Sequence, residues 1–114
     1  MAIYTLAPAI EGSAYHVRIT LKDEEAEALT PVTLSWTLTN AANRIVNNRE
    51  DVSISDPSDV EVVTLSGADT SITGQGDRSR TLTAEATYNS VDYGNGLPIK
   101  SSASFQLINL KAVN

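Results

Sequence analysis

Residues 32–40 read VTLSWTLTN, and apolar and polar side chains alternate strictly along them. Trp36, the only tryptophan of the chain, lies on the apolar phase of this run. Residues 15–22 (YHVRITLK) and 80–88 (RTLTAEATY) repeat the same period of two. Strict alternation is typical of a strand with one buried and one solvated face, and such strands belong mostly to antiparallel sheets.

Turn-forming residues separate the alternating runs and divide the chain into seven or eight short strands. The predicted strands cover residues 2–6, 14–22, 32–39, 44–47, 51–55, 59–66, 80–88 and 102–110. Such strands must bury their apolar faces against one another, which predicts an all-β, two-sheet antiparallel β-sandwich. An immunoglobulin-like or fibronectin-like sandwich buries a tryptophan from a central strand, which is the place predicted for Trp36. A length of 114 residues suits a single domain, residues 1–114.

One strand breaks its phase. In residues 59–66, DVEVVTLS, the side chains of Val60 and Val62 share one face. Val63 and Leu65 share the other face. This break predicts either a β-bulge or a strand that changes its partner at a sheet edge.

The segments between the strands are predicted as turns and loops. Residues 22–29, KDEEAEAL, are good helix formers. They would make only about two helical turns, which is marginal for a stable helix. We therefore expect an acidic loop that contains at most one helical turn. Turns are predicted at residues 39–44 (TNAANR), 55–59 (SDPSD) and 93–98 (YGNGLP), with a longer glycine loop at 67–77. That loop has no GxxxxGK[ST] motif and is not expected to bind phosphate.

The net charge of −6 narrows the range of partners. Nucleic-acid binding needs clustered Lys and Arg, whereas the eight basic residues here are scattered. The closest pair, Arg78 and Arg80, is predicted to be a solvated strand end. No run approaches the roughly 18 apolar residues of a membrane span. From the charge pattern and the lack of such a run, we expect neither a nucleic-acid nor a membrane partner. The chain also has no cysteine, which excludes a disulfide framework and a thiolate zinc site.

Candidate catalytic and metal-binding residues are few. His16, the only histidine, alternates with Tyr15 and Val17 and is expected to face solvent as a surface strand residue. Two acidic groups offer the carboxylate oxygens that calcium prefers. They are Asp23, Glu24, Glu25 and Glu27, and Asp51, Asp56 and Asp59. Neither group has the spacing of a calcium loop, so we expect solvated loops, with no metal, cofactor or catalytic residue.

Aromatic side chains bear on carbohydrate binding, because sugars stack on exposed rings. The candidates for a stacking platform are Tyr4, Trp36, Tyr88 and Tyr93. Trp36 and Tyr88 lie on the buried phase, which argues against a platform. Tyr93 is the best candidate for an exposed ring, either as an anchor in a protein interface or as a turn residue that caps the core.

The succession of core and turn motifs resembles a group of small immunoglobulin-like structural proteins of tailed bacteriophages and prophages. The resemblance rests on five segments spread over nearly the full chain. They read YTLAPAIEGSAY, LTPVTLSWTLTNAANRIVNNREDVSI, VVTLSGADTSI, RSRTLTAEATYNS and GNGLPIKSSASFQLINL. The resemblance implies a non-enzymatic virion protein, an accessory or decoration protein or a neck or tail component, that binds other phage structural subunits. No site residues transfer with it.

The resemblance implies the virion as the setting of the protein. Synthesis in the host cytoplasm is expected because the N-terminal sequence MAIYTLAPAI lacks the features of a signal peptide. Partner strands are expected to add at the chain-terminal strands, residues 2–6 and 102–110. An oligomeric state is not encoded in the pattern, so association between copies of the chain stays open.

Two other functions stay open. A carbohydrate- or cell-surface-binding module would use the same fold, since fold does not fix function. A small hydrolase would need two close carboxylates in a pocket.

Overall fold

The computed structural model describes residues 2–22, 27, 29–72 and 78–108, and for residues 2–5 it describes the backbone alone. The regular structure of the described chain is β-strand apart from one short 3₁₀ turn, which confirms the predicted all-β class. Its strands are β1 (Ala2–Thr5), β2 (Ala9–Ile10), β3 (Tyr15–Thr20), β4 (Thr33–Asn40), β5 (Val52–Ser53), β6 (Val60–Leu65), β7 (Ser79–Ser90) and β8 (Gly94–Ile108). A 3₁₀ turn, Gly67–Asp69, follows β6.

The larger sheet has the strand order β1-β8-β7-β4-β5, and β2 also pairs with β8. The β4–β7, β7–β8 and β4–β5 pairs are antiparallel, as the alternation predicts. The β1 and β2 pairs with β8 are parallel, so the sheet is mixed and the expectation of a purely antiparallel arrangement is wrong here. The reason is geometric: the chain runs from β1 to β2 along one edge of β8, in the direction of β8 itself.

The smaller sheet consists of β3 and β6, paired in an antiparallel register from Tyr15–Leu65 to Thr20–Val60. This pairing is continuous, so neither a bulge nor a change of partner explains the phase break in β6. The side chains of Val63 and Leu65 are buried, whereas Val60 and Val62 are exposed. The break therefore marks apolar side chains on the outer face.

Side chains from both sheets meet in one hydrophobic core. The smaller sheet contributes buried residues such as Val17, Ile19 and Leu65, and the larger sheet contributes buried residues of β4, β7 and β8. Trp36 is 6% exposed and lies on β4 opposite Ala84 of β7, which confirms its predicted burial. Facing inner surfaces remove apolar area from water, and this burial is the main favourable term in folding.

Asparagine forms the turn after β4. The Asn40 Oδ1 atom accepts hydrogen bonds from the backbone N–H groups of Ala42 and Arg44, at 2.9 and 3.1 Å. Asn43 has a φ of 62°, a left-handed conformation that asparagine adopts more readily than most residues. The predicted turn at 39–44 is confirmed, but the predicted return strand at 44–47 is reduced to a single bridge between Thr39 and Ile45.

The β7–β8 turn lies earlier than predicted. It occupies residues 91–93, and residues 94–98 belong to β8, where a turn was expected. The Asn-Gly pair at 95–96 misled the prediction because this dipeptide favours hairpin turns. The predicted acidic loop at 22–29 falls mostly outside the described residues; at its ends, the Leu29 N–H donates to the Leu21 carbonyl at 3.1 Å.

Replacing Trp36 with alanine removes the largest side chain of the core. We expect Trp36→Ala to lower the free energy of unfolding by about 3–5 kcal/mol, because the indole leaves a cavity between the sheets. Urea denaturation monitored by circular dichroism measures this loss. The exposed residue Tyr93 supplies the control, since Tyr93→Ala should change stability by about 0.5 kcal/mol or less. A loss under about 1 kcal/mol for Trp36→Ala would contradict the burial of this ring.

Candidate protein-interaction surface

The β7–β8 hairpin extends beyond its neighbours in the larger sheet. β4 pairs with β7 only up to Thr87, and in the described chain β1 pairs with β8 only from Ser101 onward. Tyr88 and Ile99 still pack against the core. The part that projects is therefore residues 89–98, which we call the hairpin arm.

Side-chain hydrogen bonds order the tip of the hairpin arm. The Ser90 Oγ atom accepts from the backbone N–H groups of Asp92 and Tyr93, both at 3.2 Å. The Asn89 Oδ1 atom accepts from the Gly96 N–H across the hairpin at 3.0 Å. Gly96 has a φ of 69°, which glycine adopts without the steric cost that a Cβ atom brings. These contacts fix the shape of the tip in the unbound chain.

The hairpin arm exposes large apolar side chains. Val91 is fully exposed and Tyr93 is 67% exposed. Val32 lies exposed near the base of the arm, where its N–H donates to the Thr87 carbonyl at 2.8 Å. Exposed apolar side chains at a projecting tip are suited to a protein interface, and tyrosine offers both an apolar ring and a hydroxyl. The arrangement can therefore anchor a protein partner.

A buried carboxylate organises the opposite end of the molecule. Asp69 is 1% exposed, and its Oδ1 atom accepts from Asn47 Nδ2 and Arg49 Nε, both at 2.9 Å. Its Oδ2 atom accepts from the Ser66 N–H at 3.1 Å. The Arg49 guanidinium also lies 5.9 Å from the centre of the Trp36 ring. The carboxylate thus ties the 3₁₀ turn to the segment before β5 and, through Arg49, to the core.

The pKa of Asp69 reflects two opposing effects. Burial alone would raise the pKa of this carboxyl, because it disfavours the charged form. Hydrogen bonds from Arg49, Asn47 and the Ser66 amide, together with the positive charge of Arg49, outweigh burial and lower the pKa below its ordinary value. The carboxylate is therefore ionised and fully partnered at neutral pH.

Arg80 is the second buried charge at this end. Its side chain is 1% exposed, and Nε, Nη1 and Nη2 donate to the backbone carbonyls of Asp69, Ser79 and Ser71 at 2.9, 2.8 and 2.7 Å. The prediction of a solvated strand end is wrong for Arg80, although Arg78 is exposed. Position 80 shares the inward phase of β7, and the guanidinium reaches the carbonyls that face the end of the core.

The Asp69 cluster, defined as Asn47, Arg49, Ser66, Asp69 and Arg80, was not anticipated from the sequence. Asp69 lies within the predicted glycine loop at 67–77, and nothing in its local sequence distinguishes a buried aspartate from a solvated one. Every donor and acceptor named above forms its hydrogen bond within the protein. The cluster therefore stabilises the fold, and we assign no catalytic role to it.

Within the described residues, the other sequence-predicted candidates do not assemble into a site. His16 is exposed on β3, with Nδ1 3.0 Å from Thr64 Oγ1. Asp51, Asp56 and Asp59 are exposed, and Glu27 is exposed in its loop. Asp23, Glu24 and Glu25 lie outside the described residues. Among the residues that the structure does describe, no group of three or more carboxylate or histidine side chains is placed to hold a metal ion.

The aromatic side chains are dispersed. Trp36 is buried, and Tyr88 is partly buried against the core. Tyr15 stacks on Phe105 with ring centres 4.3 Å apart. Of the candidates for a sugar platform, only Tyr93 is exposed in the described chain, and the side chain of Tyr4 is outside it. These rings do not form a shared stacking surface.

Of the two strands predicted to lie at a sheet edge, one does and the other does not. β1, within the predicted range 2–6, lies at the end of the larger sheet. The strand predicted at 102–110 belongs to β8, which lies between β7 and the N-terminal strands and has no free edge where β1 and β2 pair with it. Parallel pairing of the N-terminal segment, which the alternation cannot show, covers that edge.

Comparison with known proteins gives no assignment: the chain matches no protein-family profile, no curated protein and no solved structure. In the part of the chain that the structure describes, no helix has the length and apolar character needed to cross a membrane.

Asp69→Asn tests the Asp69 cluster. The substitution keeps the shape but removes the negative charge, so Arg49 loses its ion-pair partner. We expect a loss of about 2–3 kcal/mol in the free energy of unfolding at pH 7, below the 3–5 kcal/mol typical of fully buried pairs because Arg49 is 39% exposed. Guanidinium denaturation measures it, with the exposed Asp51→Asn as the matched control.

The effect has a defined pH dependence. The folded-state pKa of Asp69 is lowered, so its stabilisation is present above the unfolded-state pKa of about 3.9 and is lost as the pH falls through the folded-state value. The difference between the original chain and Asp69→Asn should therefore shrink below about pH 4. A difference that stays constant down to about pH 2 would show that charge is not its source.

Proposed function

We propose that this protein is a non-enzymatic, immunoglobulin-like β-sandwich module that binds other proteins through its hairpin arm. The proposed partners are structural subunits of a bacteriophage virion, in the capsid, neck or tail. The observation that carries the proposal is the exposure of Val91 and Tyr93 at a projecting tip whose backbone is already ordered. Anchors of this kind, aromatic above all, contribute most of the binding energy in many interfaces.

The strand arrangement supports the immunoglobulin-like part of the proposal. In immunoglobulin-type sandwiches, strands C, F and G form one sheet, and strands B and E pair in the other. Here β4, β7 and β8 are adjacent in one sheet, and β3 pairs with β6 in the other. Trp36 lies on β4, which corresponds to the strand that carries the core tryptophan of antibody domains. Parallel pairing of β1 and β2 on β8 is a departure from the constant-type pattern.

The virion part of the proposal is supported by the resemblance of five segments, spread over nearly the full chain, to phage immunoglobulin-like proteins. The architecture suits such a role, because one end is fastened internally by the Asp69 cluster while the other projects an apolar tip. A carbohydrate-binding module would need several exposed rings on one surface, and the described rings are not so arranged.

The virion assignment predicts that the protein is present in purified particles. Mass spectrometry of particles induced from the strain that encodes the chain should detect it in stoichiometric amounts, and immunogold labelling should locate it. Labels spread over the head indicate decoration, whereas labels at one vertex or along the tail indicate a neck or tail component. Complete absence from particles would contradict the virion assignment and favour a ligand-binding module.

The tip predicts which side chains carry the binding. We expect the double variant Val91→Ser/Tyr93→Ser to reduce the number of copies per particle by about tenfold or more, because both anchors are lost. Quantitative mass spectrometry against a major capsid subunit measures this number. The matched control is Val60→Ser/Val62→Ser, which removes two exposed apolar side chains from β6 instead. Equal incorporation of both variants, with unchanged thermal unfolding, would show that the hairpin arm is not the contact.

A further inference from the structure

A groove of about 420 Å³ runs along β3. Six consecutive residues, 17–22, form one wall, and β7 and β8 form the floor with Leu82, Ala84, Ser101 and Ala103. The floor is made largely of small side chains and lies on the inward face of the larger sheet. The inner surface of that sheet is therefore not completely covered by the smaller one.

The wall of this groove is the edge of a strand. In a strand, successive side chains point to opposite faces. Inward residues such as Val17 and Ile19 and outward residues such as Arg18 and Thr20 all line the groove, so the backbone between them must border it. In the described chain, β3 pairs as a strand only with β6. The Leu21 carbonyl, just beyond β3, already accepts from the Leu29 N–H. Along β3 itself, the other edge presents backbone donors and acceptors that an additional strand can pair with.

The outer rim of the groove is basic. Arg18 and Lys22 line it, and none of the lining residues in the described part of the chain is acidic. Both side chains are exposed, and within the described residues neither has an ion-pair partner. In a chain with a net charge of −6, this is a local reversal of sign that favours an acidic partner.

We propose that the groove accepts an extended segment of another protein, which adds as a strand beside β3 and alternates apolar with acidic residues. The inward side chains of this segment cover the floor formed by Ala84, Ser101 and Ala103. Its outward side chains lie beside Arg18 and Lys22, where opposite charges on neighbouring strands attract. Main-chain hydrogen bonds supply affinity, and the alternating side chains supply specificity.

A second copy of this chain is a poorer occupant. Two-fold antiparallel pairing of β3 with β3 of a second copy, centred on Arg18, would place the two Arg18 side chains opposite each other. His16 and Lys22 lie on the same face of the strand as Arg18. Like charges directly opposite each other destabilise a strand pair. The net charge of −6 on each copy adds a further repulsion.

This site is separate from the hairpin arm and does not depend on the proposed function. The groove is lined by β3, β7, β8 and Leu6, and none of its lining residues belongs to the hairpin arm. Variants at Val91 and Tyr93 should leave groove binding unchanged. Failure of one proposal is therefore distinguishable from failure of the other.

Synthetic peptides test the groove. A fluorescein-labelled peptide of about eight residues that alternates valine and glutamate is long enough to span it. The comparison peptides alternate valine and lysine, or carry the valines and glutamates in two separate blocks. Fluorescence anisotropy on the full chain should show binding of the alternating acidic peptide at least about tenfold tighter than of either comparison peptide. Equal binding of all three peptides, or no binding of any, would overturn the proposal.

A charge reversal tests the position of binding. We expect Arg18→Glu/Lys22→Glu to reverse the preference, so that the valine–lysine peptide binds more tightly. The matched control, Arg44→Glu/Arg78→Glu, changes the net charge equally at two exposed positions outside the groove and should keep the preference for glutamate. The same response of both double variants would show a general charge effect and overturn the proposal.

Hydrogen exchange tests the mode of binding. Addition of the acidic peptide should slow amide exchange within residues 17–22 and leave the hairpin arm unaffected, because a new strand protects the edge it pairs with. Binding without protection of β3 would overturn strand addition. The chain could instead dimerise without any peptide, and Arg18→Glu/Lys22→Glu could change this dimerisation. That result would identify a second copy as the occupant of the groove and would also overturn the proposal.

Discussion

The fold depends on the burial of two one-sided sheets that differ in width. The larger sheet is five strands wide, in the order β1-β8-β7-β4-β5 with β2 also paired to β8, whereas only β3 and β6 form the smaller one. Burial is complete where they face each other, as at Leu38 and Leu65, which have no exposed surface. Two strands cannot cover five, so part of the inner face near Ala103 lines an open groove. The difference in width thus leaves apolar surface of the inner face open to solvent at the groove.

The two ends of the molecule differ in how their polar and apolar groups are covered. At one end the core would close over backbone carbonyls and a carboxylate, which are costly to bury without partners. Arg80 donates to the carbonyls, and Asn47 and Arg49 donate to the Asp69 carboxylate. The Thr70 hydroxyl adds a hydrogen bond to the Ser13 carbonyl at 3.0 Å. At the other end no comparable network closes over the hairpin arm in the described chain. Its apolar side chains stay in solvent, where a partner can reach them.

The sequence predicts the features that depend on local alternation. The burial of Trp36, the exposure of His16 and most strand positions follow from a period of two, because side-chain direction is set by the strand alone. The pairing partners are set by distant residues instead. Parallel addition of β1 and β2 to β8 and the burial of Asp69 therefore escape the pattern. Arg80 shows the limit clearly: its phase is inward, but its charge suggested solvent, and only the carbonyls that surround it resolve the conflict.

The hairpin arm and the groove differ in what binding would cost. The tip is ordered in the unbound chain by Ser90 and Asn89, so a partner that docks there need not order it. An extended segment that enters the groove must lose its own conformational freedom, which offsets part of the gain from burial and backbone pairing. The arm is therefore suited to recognition between two preformed surfaces. The groove is suited to a flexible segment of another protein, which would become ordered when it pairs with the edge of β3.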